Sequence, residues 1–166
     1  MRRDGRWWPY WNPLIGQRVP SPYQHPDVAL SCCVASGPRG LLLTPCWWAV
    51  MTDHEGPVVN LYAPGSATVK LEDGAEVTIL QETDYPVNDQ VRFTVQPSQE
   101  NRFALKLRIP AWSRITSLSV NSQEVPCPAG AYARPEHDWR RDDSGALKLD
   151  LRGRAVPAPV ARRNWP

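Results

Sequence analysis

Residues 67–80 read ATVKLEDGAEVTIL, and their pattern decides how the chain folds. Val69 and Leu71 alternate with Thr68 and Lys70; beyond the EDG at 72–74, Val77 and Ile79 alternate with Glu76 and Thr78. A period of two sends successive side chains to opposite faces of a strand. Asp-Gly between two such runs is a turn signal. The stretch therefore predicts two antiparallel strands with one apolar face and one wet face.

The same alternation recurs downstream. Val91, Phe93 and Val95 stand against Arg92, Thr94 and Gln96, and Phe103, Leu105, Leu107 and Ile109 stand against Arg102, Lys106 and Arg108. Leu118 and Val120 repeat the scheme, as do Leu147, Leu149 and Leu151. Short strands of this kind, separated by Asp, Asn, Gly and Pro turns, predict a mainly β fold. The expected architecture is an antiparallel, jelly-roll-like β-sandwich over residues 53–155. The closing RAVPAPVARRNWP has no periodicity, and residues 156–166 are expected to form a loose tail.

Upstream, residues 1–52 differ in character. Residues 9–31 are rich in proline and aromatics. Ser36, Gly37 and Pro38 predict a helix start, with the proline where its missing N–H costs nothing. From Leu41 to Met51 the segment is apolar on every face, so a helix there has to be buried all round, and Pro45 is expected to kink it. Such burial implies surrounding helices that this chain does not contain. Trp7, Trp8, Tyr10 and Trp11 are likewise expected to pack against something earlier in a longer polypeptide.

Composition narrows the function classes. Of 166 residues, 42% are hydrophobic and 22% charged, with a net charge of +2. Nothing here calls for nucleic acid or an anionic membrane surface. The chain has no run of 18 apolar residues, and the basic MRRDGRWWPYW lacks the apolar core of a secretion signal. Eighteen prolines argue for many turns, and eight tryptophans suit a large core or a sugar-facing surface.

The cysteines, at 32, 33, 46 and 127, are too few and too irregular for a disulfide scaffold. A bridge between the neighbours Cys32 and Cys33 would strain the disulfide torsion, so the pair is expected to be reduced. A thiolate is a nucleophile and a soft metal ligand once its pKa is lowered, by helix N-terminal amides or by zinc. Two adjacent cysteines supply at most two of the usual four zinc ligands. Cys46 and Cys127 lack recognised zinc spacing. Buried structural cysteine, or a dithiol redox or metal-transfer role, are the other readings of the pair. His25, His54 and His137 are isolated, and GPRG at 37–40 lacks the spacing of a phosphate loop. Asp53, Glu55, Asp73 and Asp84 are expected to be solvated turn carboxylates.

Several segments, in order, carry a resemblance. YWNPL (10–14), SCCVASGPRGL (31–41), VNLY (59–62), ETDYP (82–86), LRIPAWS (107–113) and SLSVN (117–121) are similar to glycoside hydrolase family 127. GAY (130–132) and the DW (138–139) before LKLDL (147–151) extend the likeness, which spans residues 10 to about 152. The resemblance implies a β-L-arabinofuranosidase-like enzyme, with an (α/α)6 barrel holding the active site and β-sandwich domains after it. Residues 1–52 would be the end of that barrel. Cys32 would be the nucleophile that attacks the anomeric carbon and also a Zn2+ ligand; Cys33 would be a second ligand. A further cysteine and a glutamate would complete the zinc site, and another glutamate would serve as acid/base, all from a part of the enzyme absent here. The expected substrate is an arabinofuranoside cleaved with retention, and the expected partner is the missing N-terminal half. Alone, the chain is expected to be inactive. The competing expectation is a non-catalytic sandwich that binds sugar through an exposed Trp112 or Trp139, or braces a partner chain; the other reading of the two tryptophans is that both plug the sandwich ends.

Overall fold

A computed structural model describes residues 36–37, 39–40, 42–43 and 49–153. Cys32, Cys33, Cys46, His25, the aromatic segment at 7–11 and the tail from residue 154 lie outside the described residues. The chain divides into two units, residues 1–51 and 52–166. In the first, the described residues between 36 and 43 are helical, as the Ser-Gly-Pro start predicts, and Leu42 and Leu43 are exposed rather than buried.

The second unit is built from strands, the first of which, β1 (Val50–Asp53), starts two residues before its boundary. β1 and β2 (Gly56–Val59) form a hairpin ahead of β3 (Gly65–Lys70), β4 (Glu76–Thr83) and β5 (Gln90–Pro97). Then follow β6 (Asn101–Ala104), β7 (Lys106–Arg108), β8 (Ser117–Val120) and β9 (Gln123–Glu124). β10 (Tyr132–Ala133), β11 (Glu136–Trp139) and β12 (Asp143–Lys148) complete the described set. One layer is a six-stranded sheet in the order β3-β4-β5-β12-β8-β9; the other combines β1-β2-β7-β10 with the pair β11-β6. This is the mainly β sandwich that the alternation predicts.

The turn at 71–75 closes through the Leu71 N–H to the Ala75 carbonyl at 2.8 Å, with the Asp73 carboxylate accepting the Ala75 N–H at 2.9 Å. Across it, Thr68 faces Thr78 and Val69 faces Val77. The inner face carries Val77, Ile79, Val91, Phe93, Val95, Leu118, Val120 and Leu147, all buried, while Thr68, Lys70, Glu82 and Arg92 face water.

The run from Phe103 to Ile109 departs from the expected single strand. Its four apolar residues are all buried, yet β6 pairs with β11 while β7 pairs with β10 and, in parallel, with β2. The change of partner falls at Leu105, where Pro135 stands opposite with no N–H to donate. The Leu105 N–H still donates to the Pro135 carbonyl at 3.0 Å, so the ladder continues through the break. The parallel contact, Val58 beside Lys106, is invisible to a two-residue period. Leu151 also departs from the pattern: it is 37% exposed, because β12 ends at Lys148 and the alternation runs past it.

Trp139 fills one end of the core. It is fully buried, stacks on Phe103 with centroids 5.7 Å apart, and donates its indole N–H to the Phe103 carbonyl at 3.0 Å. Of the two readings of Trp139, sugar platform or plug of a sandwich end, the structure shows the plug, with its one polar group satisfied. Gly145 has a packing reason as well. It faces Phe93 across the β5–β12 ladder, and a Cβ there would overlap the Phe93 ring and approach the Ser119 carbonyl oxygen to 2.6 Å. Replacing Gly145 by Ala should cost about 1–3 kcal/mol of stability through overpacking. Urea denaturation would read this as a lower midpoint at unchanged slope.

Candidate functional site

The densest set of charged side chains among the described residues lies on the outer side of the smaller layer. β1 ends at Asp53, the chain turns through His54 and Glu55, and β2 begins at Gly56, whose φ of 144° and close approach to the Ala104 carbonyl leave no room for a Cβ. The Ala104 N–H donates to the Glu55 carbonyl at 3.0 Å, which pins the turn to β6. Lys106, alternating outward between buried Leu105 and Leu107, then meets both acids. Its Nζ lies 2.5 Å from Asp53 Oδ2 and also binds Glu55 Oε2, while Arg134 binds Glu55 Oε1. The Glu55 N–H donates to Asp53 Oδ1 at 3.0 Å.

The electrostatics follow from these contacts. Burial raises the Asp53 pKa, but the Lys106 hydrogen bond and the Glu55 N–H outweigh it and hold it below the ordinary carboxylate value. The Lys106 hydrogen bond, aided by the Arg134 charge, lowers Glu55 against a smaller opposing effect of burial. Hydrogen bonds to Asp53 and Glu55 push Lys106 above its ordinary value. A shallow cavity of about 180 Å³ adjoins the cluster, lined by Glu55, Glu72, Asp73 and Arg102 among others. Both acids of the cluster are ionised and neutralised, so neither can protonate a leaving oxygen at neutral pH. Asp53 and Glu55 are thus parts of an ionic clamp rather than the solvated turn carboxylates expected of them.

The other sequence candidates are scattered. Cys32 and Cys33 lie outside the described residues, so the geometry of that pair is not part of the site described here. Two thiols remain a donor set that suits Zn2+. Cys127 does not suit it: burial raises its pKa, and its Sγ donates to the Thr116 carbonyl at 3.0 Å, so it is held as a protonated thiol. Among the described residues no group of three or more His, Cys, Asp or Glu could hold a metal ion. His54 is exposed, and His137 lies 3.5 Å from Asp143 and edge-on to Trp139. Asp73 caps its own turn and accepts from Asn101 at 2.6 Å, and the Asp84 carbonyl closes a turn with Val87. Trp112 is 42% exposed in the β7–β8 connection. No helix among the described residues is long and apolar enough to cross a membrane.

Comparison with known proteins supplies what the geometry does not. Residues 57–151, more than half of the chain, match the family model for the β-L-arabinofuranosidase GH127 middle domain. The chain belongs to family GH127. A GH127 β-L-arabinofuranosidase from Geobacillus stearothermophilus T6 superposes with a TM-score of 0.63 at 27% identity, covering 72% of this chain and 19% of that one. A structure described as a glycoside hydrolase gives 0.64 at 29% identity, covering 90% and 24%. A further GH127 β-arabinofuranosidase, at 23% identity and a TM-score of 0.67 over 85% and 23%, shares the fold. No curated protein matches the chain. The GH127 chain thus spans about a fifth to a quarter of the length of these structures.

The clamp was hidden from the sequence because Lys106 meets Asp53 and Glu55 only through the parallel β2–β7 contact. Its pH dependence has a definite sign. Asp53 and Glu55, both lowered, contribute stability that is complete above the ordinary carboxylate range and lost as pH falls through their folded values. Lys106, raised, contributes below its ordinary range and loses that share only in strong alkali. Lys106→Met should lower the melting midpoint by roughly 5 °C near pH 7. The difference from the parent protein should shrink towards zero below about pH 4. Thermal scans across pH check both.

Proposed function

We propose that this chain contributes to a retaining glycoside hydrolase of β-L-arabinofuranosidase type, in which Cys32 is the nucleophile and Cys32 and Cys33 are metal ligands. The observation that carries the reading is the GH127 family match over residues 57–151, directly downstream of the SCC at 31–33. The Geobacillus relative, a β-L-arabinofuranosidase, agrees with it. Cys32 Sγ attacks the anomeric carbon of a terminal arabinofuranosyl group as the aglycone oxygen departs. That oxygen takes its proton from a carboxylic acid elsewhere in the enzyme, since Asp53 and Glu55 are ionised. Water, deprotonated by the same carboxylate, then releases the sugar with net retention. Bound Zn2+ would keep the Cys32 and Cys33 sulfurs anionic. The plan replaces one of the two usual glycosidase carboxylates with a thiolate. A second reading, a non-catalytic sugar-binding module, has the exposure of Trp112 in its favour.

The test assays the chain on an aryl β-L-arabinofuranoside with zinc and reductant. Alone it should show no turnover above background, because Asp53 and Glu55 are held ionised and deliver no proton. Turnover should emerge when the rest of a GH127 enzyme is added and vanish with Cys32→Ala. Turnover unaffected by Cys32→Ala would overturn the assignment.

A further inference from the structure

Where β4 turns into β5, the six-stranded sheet carries a cavity that neither the ionic clamp nor the cysteines account for. The two strands pair antiparallel, and Glu82 stands directly opposite Arg92. Both are exposed on the outer face, since their neighbours Gln81, Val91 and Phe93 are buried on the inner one. Opposite charges in this position ordinarily join across the ladder. These two do not, and neither side chain bonds to any other described residue. Together with Thr83, Asp84, Asn88 and Gln90 they line an open cavity of about 300 Å³, at the small end of the range for ligand clefts.

The loop that forms its rim is tied down by its own side chains. Thr83 Oγ1 donates to the Gln90 carbonyl at 2.6 Å and accepts the Tyr85 N–H at 3.0 Å. The Asp84 carbonyl accepts the Val87 N–H at 2.8 Å. Asn88 Oδ1 accepts the Gln90 N–H at 3.1 Å, which leaves the Nδ2 donors of Asn88 unengaged among the described residues. Beyond Arg92 the outward row of the sheet continues through Ala146 and Ser119, small side chains that leave the cavity open along the face. Lys148, beside that row, is drawn to Asp89 at 3.8 Å, so Arg92 is the one cation lining the cavity.

The lining selects a chemical class. Two carboxylates can only accept hydrogen bonds, Arg92 can only donate, and the amides of Asn88 and Gln90 add donors and an acceptor. An anion would meet Glu82 and Asp84, and a divalent cation would find two carboxylates with a guanidinium against it. An apolar ligand would find no apolar side chain in the lining. An uncharged molecule rich in hydroxyl groups, each both donor and acceptor, satisfies all of these groups at once. We propose that this cavity binds one ring of a neutral saccharide, with Glu82 and Asp84 accepting from its hydroxyls and Arg92 and Asn88 Nδ2 donating to them. The site goes beyond the glycosidase reading: it involves neither Cys32 nor Trp112, which is not among its lining residues.

Titration of the full ¹⁵N-labelled chain with arabinotriose, and in parallel with cellotriose, tests it by amide chemical shifts. At least one sugar should produce saturable shifts centred on residues 82–92. With no aromatic ring in the lining to stack on the sugar, the affinity should be millimolar. Arg92→Met combined with Asn88→Asp, which keeps the acceptor for the Gln90 N–H and removes the donors, should weaken binding about tenfold. Trp112→Ser should leave it unchanged, and the dispersion of each spectrum checks that the variant is folded. No saturable shift at residues 82–92 with either sugar, or undiminished affinity in the Arg92/Asn88 variant, overturns the proposal. Loss of binding with Trp112→Ser overturns it in favour of the exposed tryptophan. Calcium chloride moving the same amides when neither sugar does overturns it in favour of a cation site. No turnover is read, so the outcome is independent of the Cys32 assay.

Discussion

The backbone hydrogen bond from Leu105 to Pro135 is the joint on which the smaller layer turns. Pro135 cannot donate, and without this bond the ladder between residues 101–108 and 132–139 would fall into two unrelated pairs. With it, one run of chain serves two pairing partners and keeps a single in–out phase. Phe103, Leu105, Leu107 and Ile109 all stay inside, and Lys106 stays outside at the place where the β1–β2 turn arrives. The core and the ionic clamp are therefore two faces of one constraint. A slip by one residue would bury the lysine and expose the leucines together.

Much of this architecture is legible in the residues, and the reason is local. Val69 to Ile79 and Val91 to Val95 spell out their pairing because each partner lies one turn away, and the EDG turn stands between the first pair. What the sequence conceals is non-local. β10 and β11 are short, interrupted by Pro135, and have no alternation long enough to read. β2 contains a proline and pairs in parallel with β7, a contact that no hairpin signal announces. Leu151 misleads in the other direction, since hydrophobic spacing persists after the strand has ended. Trp139 reads from sequence as either a plug of the sandwich end or a platform for sugar, and the Phe103 carbonyl, reached through the β6–β11 pairing, decides for the plug.

The functional residues divide in the same way. The Cys32–Cys33 pair is visible as a motif, and the role proposed for it rests on family likeness, since thiols alone are equally suited to packing, redox chemistry or metal binding. Cys127 shows how little residue type decides. Its thiol is tied to a carbonyl and kept neutral, the reverse of what a nucleophile requires. Asp53 and Glu55 make the corresponding point for carboxylates: a basic partner on each holds the charge and removes the capacity to deliver a proton.

The position of β12 has a consequence for assembly. In the six-stranded sheet it lies between β5 and β8, so the strand translated last among those described occupies the middle of its layer. During synthesis the β3–β4–β5 meander can form as it emerges, whereas β8 and β9 have nothing to join until Asp143–Lys148 leaves the ribosome. The sandwich is thus locked from its downstream side, like an arch whose keystone arrives at the end. The two parts of the six-stranded sheet, β3–β4–β5 and β8–β9, owe their union to a single ribbon, six residues long.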